Sequence, residues 1–164
     1  MRTSPVLALA ALLTTTHAVH ADGASSFWRF DHGLVQTSLF TDHFDSKPEH
    51  NNHQHLIGIE LHNPEHWFAG TAWFKNSFDQ PTWYFYGGRE FLLWRVGHGI
   101  EIRAKLTAGL LRGYDGDKRD NIPLNQLGIA PVVLPSLGFR WKQVEADMMI
   151  FGSAGIMITG GLRF

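Results

Sequence analysis

The sequence predicts an all-β protein, an eight-stranded antiparallel transmembrane β-barrel, and three observations predict it. Past Asp22 the apolar residues alternate with polar ones instead of recurring at helical spacing, and a period of two marks a strand with one greasy and one polar side. Eight such stretches follow one another at about ten residues each, the length that crosses a bilayer at the tilt of a barrel strand. The joints between them alternate between long and short, as the outer loops and inner turns of an outer-membrane barrel do.

Taken in order, residues 1–21 read as a secretory signal peptide. Arg2 precedes the apolar run Val6 to Leu13, which is too short to span, and the small residue Ala21 precedes the expected cleavage site. The barrel domain is then 22–164. Its first strand is expected over 33–42, the second over 56–61 and the third over 67–74. The fourth, 83–90, carries Tyr84, Tyr86, Gly88 and Glu90 on one face. The fifth, 100–110, alternates most cleanly: Ile100, Ile102, Ala104, Leu106, Ala108 and Leu110 share one side, and Glu101, Arg103, Lys105 and Thr107 the other. The sixth, 127–141, contains Pro131 and Pro135. In the seventh, 143–150, Val144, Ala146 and Met148 oppose Glu145 and Asp147. The eighth, 154–164, ends on the aromatic Phe164, as strands closing outer-membrane barrels do.

Eight alternating strands also fit a soluble sandwich or a lipocalin-like barrel, whose greasy faces point inward. Strand length, Phe164 and the joint pattern favour the membrane type, with greasy faces outward. A charge such as Glu90 in lipid would cost kilocalories, so the charged faces are assigned to the lumen. There Glu60, Glu90, Glu101, Arg103, Lys105, Glu145, Asp147 and Arg163 are expected to form an ionic plug. Composition is short of charge: 18% of residues are charged, against about 25% in an ordinary soluble domain. Fourteen Lys and Arg against fifteen Asp and Glu leave no basic excess for a phosphate backbone, so no nucleic-acid partner is expected. The absence of cysteine removes disulfides, thiolate metal sites and cysteine nucleophiles together. Export without cysteine fits the outer membrane of a Gram-negative bacterium, where a monomer is expected.

Threading the chain up from the periplasm gathers His43, Asn76, Ser77, Arg119, Asp120 and Asn121 at one end of the barrel, although they lie far apart in sequence. An eight-stranded barrel holds packed side chains or one small ligand. The face bearing Tyr84, Tyr86 and Gly88 would line such a pocket, its depth set where side-chain bulk begins or ends.

Several of these residues carry a resemblance. Phe74-Lys75-Asn76-Ser77-Phe78, followed without a gap by Gly88 and Glu90, then Thr107-Ala108-Gly109, Arg119-Asp120-Asn121, Ile122-Pro123-Leu124 and the proline-bearing strand from Pro131 to Phe139, occur in that order. In this the chain resembles the lipid A palmitoyltransferases, a family of small outer-membrane barrels. The resemblance implies an acyltransferase without cofactor or metal that moves a palmitoyl-type chain from a phospholipid donor to lipid A as acceptor. It implies His43, Asn76 and Ser77 as catalytic residues, with Arg119 and Asp120 in support. Tyr84, Tyr86 and Gly88 become the acyl-chain pocket, with Gly88 as its floor. Pro131 and Pro135, lacking ladder donors, would leave a lateral gap for lipid. Histidine suits the work, since an ordinary pKa near 6.5 lets an imidazole take and return a proton at neutral pH. Ser77 would donate to a developing oxyanion or position the base. Asn76 stands where the family has aspartate: an amide hydrogen-bonds an imidazole but cannot stabilise imidazolium by charge. Residues 22–32 are too short for the amphipathic helix of the family, which leaves Phe27, Trp28 and Phe30 as an interfacial tag.

Two other readings stay open. His50, His53 and His55, with His43, His62 and His66 nearby, are spaced closely enough for imidazoles to share a metal, although threading sends His62 and His66 to the opposite end and Asn51, Asn52 and Gln54 suit a polar loop. A structural or lipid-binding barrel without catalysis is the other.

Overall fold

A computed structural model describes residues 27, 29–45 and 51–164. The expected signal peptide, Trp28 and His50 lie outside the described residues. The chain forms β1 (His32–His43), β2 (Ile57–His62), β3 (Trp67–Lys75), β4 (Pro81–Val96), β5 (Ile100–Arg112), β6 (Ile129–Trp141), β7 (Val144–Ile150) and β8 (Gly155–Arg163). Each strand pairs antiparallel with its sequence neighbour, and β1 also pairs with β8, so the sheet closes into an eight-stranded barrel.

The alternation sorts as expected, polar side chains inward and apolar ones outward. Along β5, Arg103 is fully buried whereas Leu110, seven residues on and of opposite parity, is 54% exposed. The outer surface carries Val35, Ile57, Leu61, Phe85, Val133 and Leu162 in the open. The lower lumen holds the charges. Arg103 donates to Glu90 at 2.7 Å and to Asp147 at 2.9 Å, and pairs with Glu145 at 2.5 Å. Lys105 donates to Glu60 at 2.8 Å, Arg163 lies 3.6 Å from Glu145, and Arg140 bridges Glu90 and Glu101. Arg140 was not among the expected members. The upper lumen is apolar and aromatic, with Phe74, Tyr84, Tyr86, Leu111, Leu134 and Met157 in one cluster.

One strand is longer than the pattern predicts. β4 continues six residues beyond Glu90, because a bulge between Leu92 and Trp94 breaks the period of two. The bulge resets parity: Trp94 falls opposite the outward Ile102, and Arg95 opposite the inward Glu101, to which it donates at 3.0 Å.

At the upper end the ladder is incomplete in two places. β6 pairs with β7 only from Ser136 downward, although its β5 ladder runs unbroken from Trp141 to Ile129. Residues four apart direct their N–H groups to the same edge, so Pro131 and Pro135 withhold donors from the open β7 edge. On the other side of the mouth, β1 above Thr37 has no strand partner in β2 and is held by β8.

Candidate functional site

The loop between β3 and β4 is built by Asn76. Its Oδ1 accepts from the backbone N–H groups of Phe78 (2.9 Å) and Gln80 (3.1 Å), and its Nδ2 donates to the Gly113 carbonyl (3.0 Å) and to Gln80 Oε1 (3.4 Å). An amide has two N–H donors and two acceptor lone pairs, so all four positions are used, three within the loop and one on the residue just past β5. Gly113, at φ +142°, allows this approach, since a Cβ there would meet Thr82 Oγ1 at 2.4 Å. Asn76 therefore shapes the turn that presents Ser77, and the expected hydrogen bond from it to the imidazole is not what its amide makes.

Ser77 meets His43 across the mouth. The Oγ lies 2.7 Å from His43 Nε2, and His43 Nδ1 lies 2.7 Å from Asn52 Oδ1. His43 ends β1 and is 9% exposed, so it is buried in the mouth rather than standing at a solvent-facing rim. The loop carrying Asn52 is fixed to the Ser77 loop by two backbone bonds, Asn51 N–H to the Ser77 carbonyl and Lys75 N–H to the Gln54 carbonyl, both 2.8 Å. Tyr114 lines the same cavity as His43 and Ser77. Burial pushes the Tyr114 pKa up, so its hydroxyl stays protonated at neutral pH.

His43 and Ser77 face a cavity of about 580 Å³ walled largely by apolar groups such as Phe78, Ile122 and Val132, together with the polar Thr41, Asp42, Asp45 and Gln54. That size falls within the roughly 300–1,000 Å³ of small-molecule sites. Pro131 and Val133, on the part of β6 without a β7 partner, belong to its wall. Below it, and sharing Phe74, Leu111, Leu134 and Phe151, lies a second space of about 40 Å³ lined by Tyr84 and Tyr86. The two tyrosine rings stack at 4.6 Å, and the Tyr86 hydroxyl donates to Glu60 at 3.0 Å.

Gly88, expected as the pocket floor, lies one step deeper. Phe68 covers it, and a Cβ at Gly88 would meet the Phe68 ring at 2.6 Å and the Leu106 carbonyl at 2.7 Å. The lower space reaches Tyr86 and the Glu60–Lys105 pair beside it, where its lining turns from apolar to charged, and Gly88 does not line it. Arg119 and Asp120 lie in the short 3₁₀ segment Gly116–Asn121, away from the cavity wall. Arg119 serves that loop, donating to the Gln126 carbonyl at 3.5 Å and accepting from Asn125 at 3.1 Å. Among the described residues no three His, Asp or Glu groups gather in a metal-binding arrangement. His62 is buried at the lower end, stacked on His32 at 4.3 Å and bonded to Glu60 at 2.9 Å.

Sequence reasoning brought His43 and Ser77 to one end and missed Asn52 and Tyr114. Neither belongs to a strand pattern, and in the sequence Asn52 is one more polar residue of a polar loop. No family model matches the chain, and no curated protein matches it in sequence.

Proposed function

We propose that this chain is an outer-membrane acyltransferase that moves a palmitoyl-type chain from a phospholipid to lipid A. The observation that carries the reading is the 2.7 Å contact between His43 Nε2 and Ser77 Oγ on the wall of an apolar cavity. A base paired with a hydroxyl is the equipment of acyl transfer, and an apolar cavity beside it suits a hydrocarbon chain. The polar-in, apolar-out barrel suits a lipid surrounding, in which every backbone group must be satisfied within a closed sheet. The part of β6 above Ser136, which has no β7 partner among the described residues, suits a lipid substrate that arrives sideways from a membrane. The ordered motifs shared with the lipid A palmitoyltransferases, from Phe74-Lys75-Asn76-Ser77 to the proline strand, favour lipid A as acceptor.

In this reading His43 carries the proton from an attacking hydroxyl to the departing glycerol oxygen. A positioned base contributes typically about 10²- to 10⁴-fold. Mass spectrometry of lipid A from cells with and without the expressed chain tests the reading. The expected result is a lipid A species heavier by one palmitoyl group, present with the wild-type chain and reduced at least about 100-fold with His43→Ala while the barrel stays heat-modifiable on gels. Unaltered lipid A with the wild-type chain correctly folded would leave a non-catalytic barrel as the better description.

A further inference from the structure

We propose that Asn52, His43 and Ser77 act as one relay in which Ser77 is the nucleophile, so that the acyl chain passes through an ester on Ser77 Oγ, with Asn52 as the positioning residue. The proposal deepens the acyltransferase reading and rests on it for the nature of the donor and acceptor. Its basis is the pair of 2.7 Å contacts on the two sides of one imidazole. Asn52 Oδ1 is an acceptor only, so the hydrogen between it and the ring belongs to His43 Nδ1. That assigns the tautomer, and Nε2 is left with its single lone pair facing the Ser77 hydroxyl. The proton His43 is placed to take is therefore that of Ser77. An acceptor hydroxyl could be deprotonated directly only after Ser77 had vacated Nε2.

One further feature fits a nucleophile better than a spectator. The Ser77 carbonyl accepts from Asn51 N–H at 2.8 Å, which ties the turn that carries Oγ to the segment that carries Asn52 before any substrate arrives.

The chemistry balances without a further reactant. Oγ attacks the donor ester carbonyl and forms the new C–O bond while its proton moves to Nε2. Collapse breaks the bond to the glycerol oxygen, which takes the proton from Nε2 and leaves as part of the lysophospholipid. The acceptor hydroxyl then gives its proton to Nε2 and attacks the Ser77 ester. Oγ departs and recovers the proton. Throughout, Asn52 keeps Nδ1–H in place, the orienting role of the third member of a hydrolase triad.

The test uses the purified full chain in detergent with two probes: a long-chain alkyl fluorophosphonate, and a phospholipid with deuterated acyl chains supplied without acceptor. Acid-quenched peptide mass spectrometry should find both adducts on Ser77, and none in Ser77→Ala or His43→Ala. Asn52→Ala should slow fluorophosphonate labelling by about 100-fold in a barrel that remains heat-modifiable. Asn52→Asp should restore labelling and move the acidic limb of its pH–rate profile to higher pH, because a carboxylate favours the imidazolium. Should Asn52→Ala not fold, the Asn52→Asp profile carries the same test. Lipid A acylation by the wild-type chain with no adduct on Ser77 overturns the relay and leaves the acyltransferase reading intact. Labelled Ser77 in a chain that acylates no lipid A does the reverse. Unchanged labelling in Asn52→Ala, or an unmoved pH profile in Asn52→Asp, overturns the role given to Asn52.

Discussion

Asn76 shows how far one side chain's chemistry depends on where its partners are. Three of its four hydrogen bonds stay within the loop, and the fourth reaches the Gly113 carbonyl just past β5. A carboxylate in its place would keep the two acceptors and lose both donors, setting an anionic oxygen against the Gly113 carbonyl. Asn76→Asp is therefore expected to lower both the thermal midpoint and the acyl-transfer rate, since a buried acceptor left unpaired costs about 1–3 kcal/mol. Parallel melting curves and transfer assays check this, and a faster Asn76→Asp enzyme would show that charge from this position does reach His43. The pairing of His43 with Ser77 was legible in the sequence to the extent that threading alternate strands up and down brings both to one end. Asn52 was not, because its contact depends on the course of the segment between His43 and β2, which no periodicity encodes.

At the scale of the element, β4 decides the depth of the pocket. Its inward positions run Thr82, Tyr84, Tyr86, Gly88 and Glu90, from mouth to plug. The missing side chain at Gly88 is taken up by Phe68 from β3, so bulk at Tyr86 is what stops a chain from above. Tyr86→Ala is expected to shift donor selectivity toward longer acyl chains by a modest factor, since each methylene discriminates by only about 1–3 kcal/mol. Gly88→Ala is expected to leave selectivity alone and destabilise the barrel, because its Cβ would press on the Leu106 carbonyl. Competition between donors of mixed chain length, with urea titration of each variant, separates the two effects. Identical chain preference in wild type and a folded Tyr86→Ala would remove Tyr86 from the floor. The strand pattern placed Gly88 inward correctly. Which neighbouring ring covers it follows from the stagger between β3 and β4, where Phe68 is the register partner of Gly88.

Over the whole molecule the charged lower lumen is the element of cost. Arg103 is fully buried among Glu90, Glu145 and Asp147, and desolvation of such a group is offset only while every partner is present. Arg103→Met should leave three carboxylates short of a cation and destabilise the fold by about 3–5 kcal/mol, with transfer per folded barrel little changed because the site lies at the other end. Urea midpoints in detergent, compared with activity normalised to the heat-modified band, measure both. A variant as stable as wild type would mean that Arg140 and Lys105 neutralise the cluster alone. Strand number, the direction most residues face and the membership of the ionic plug apart from Arg140 could be read from the chain, because alternation is a local property and charges have only one tolerable side in such a sheet. Closure of β1 on β8, the parity shift at the Leu92–Trp94 bulge, the ring over Gly88 and the Asn52–His43–Ser77 contacts were decided by the tertiary structure. Each depends on stagger between strands or on the closing of a loop, and neither distance is set by the order of residues within one strand.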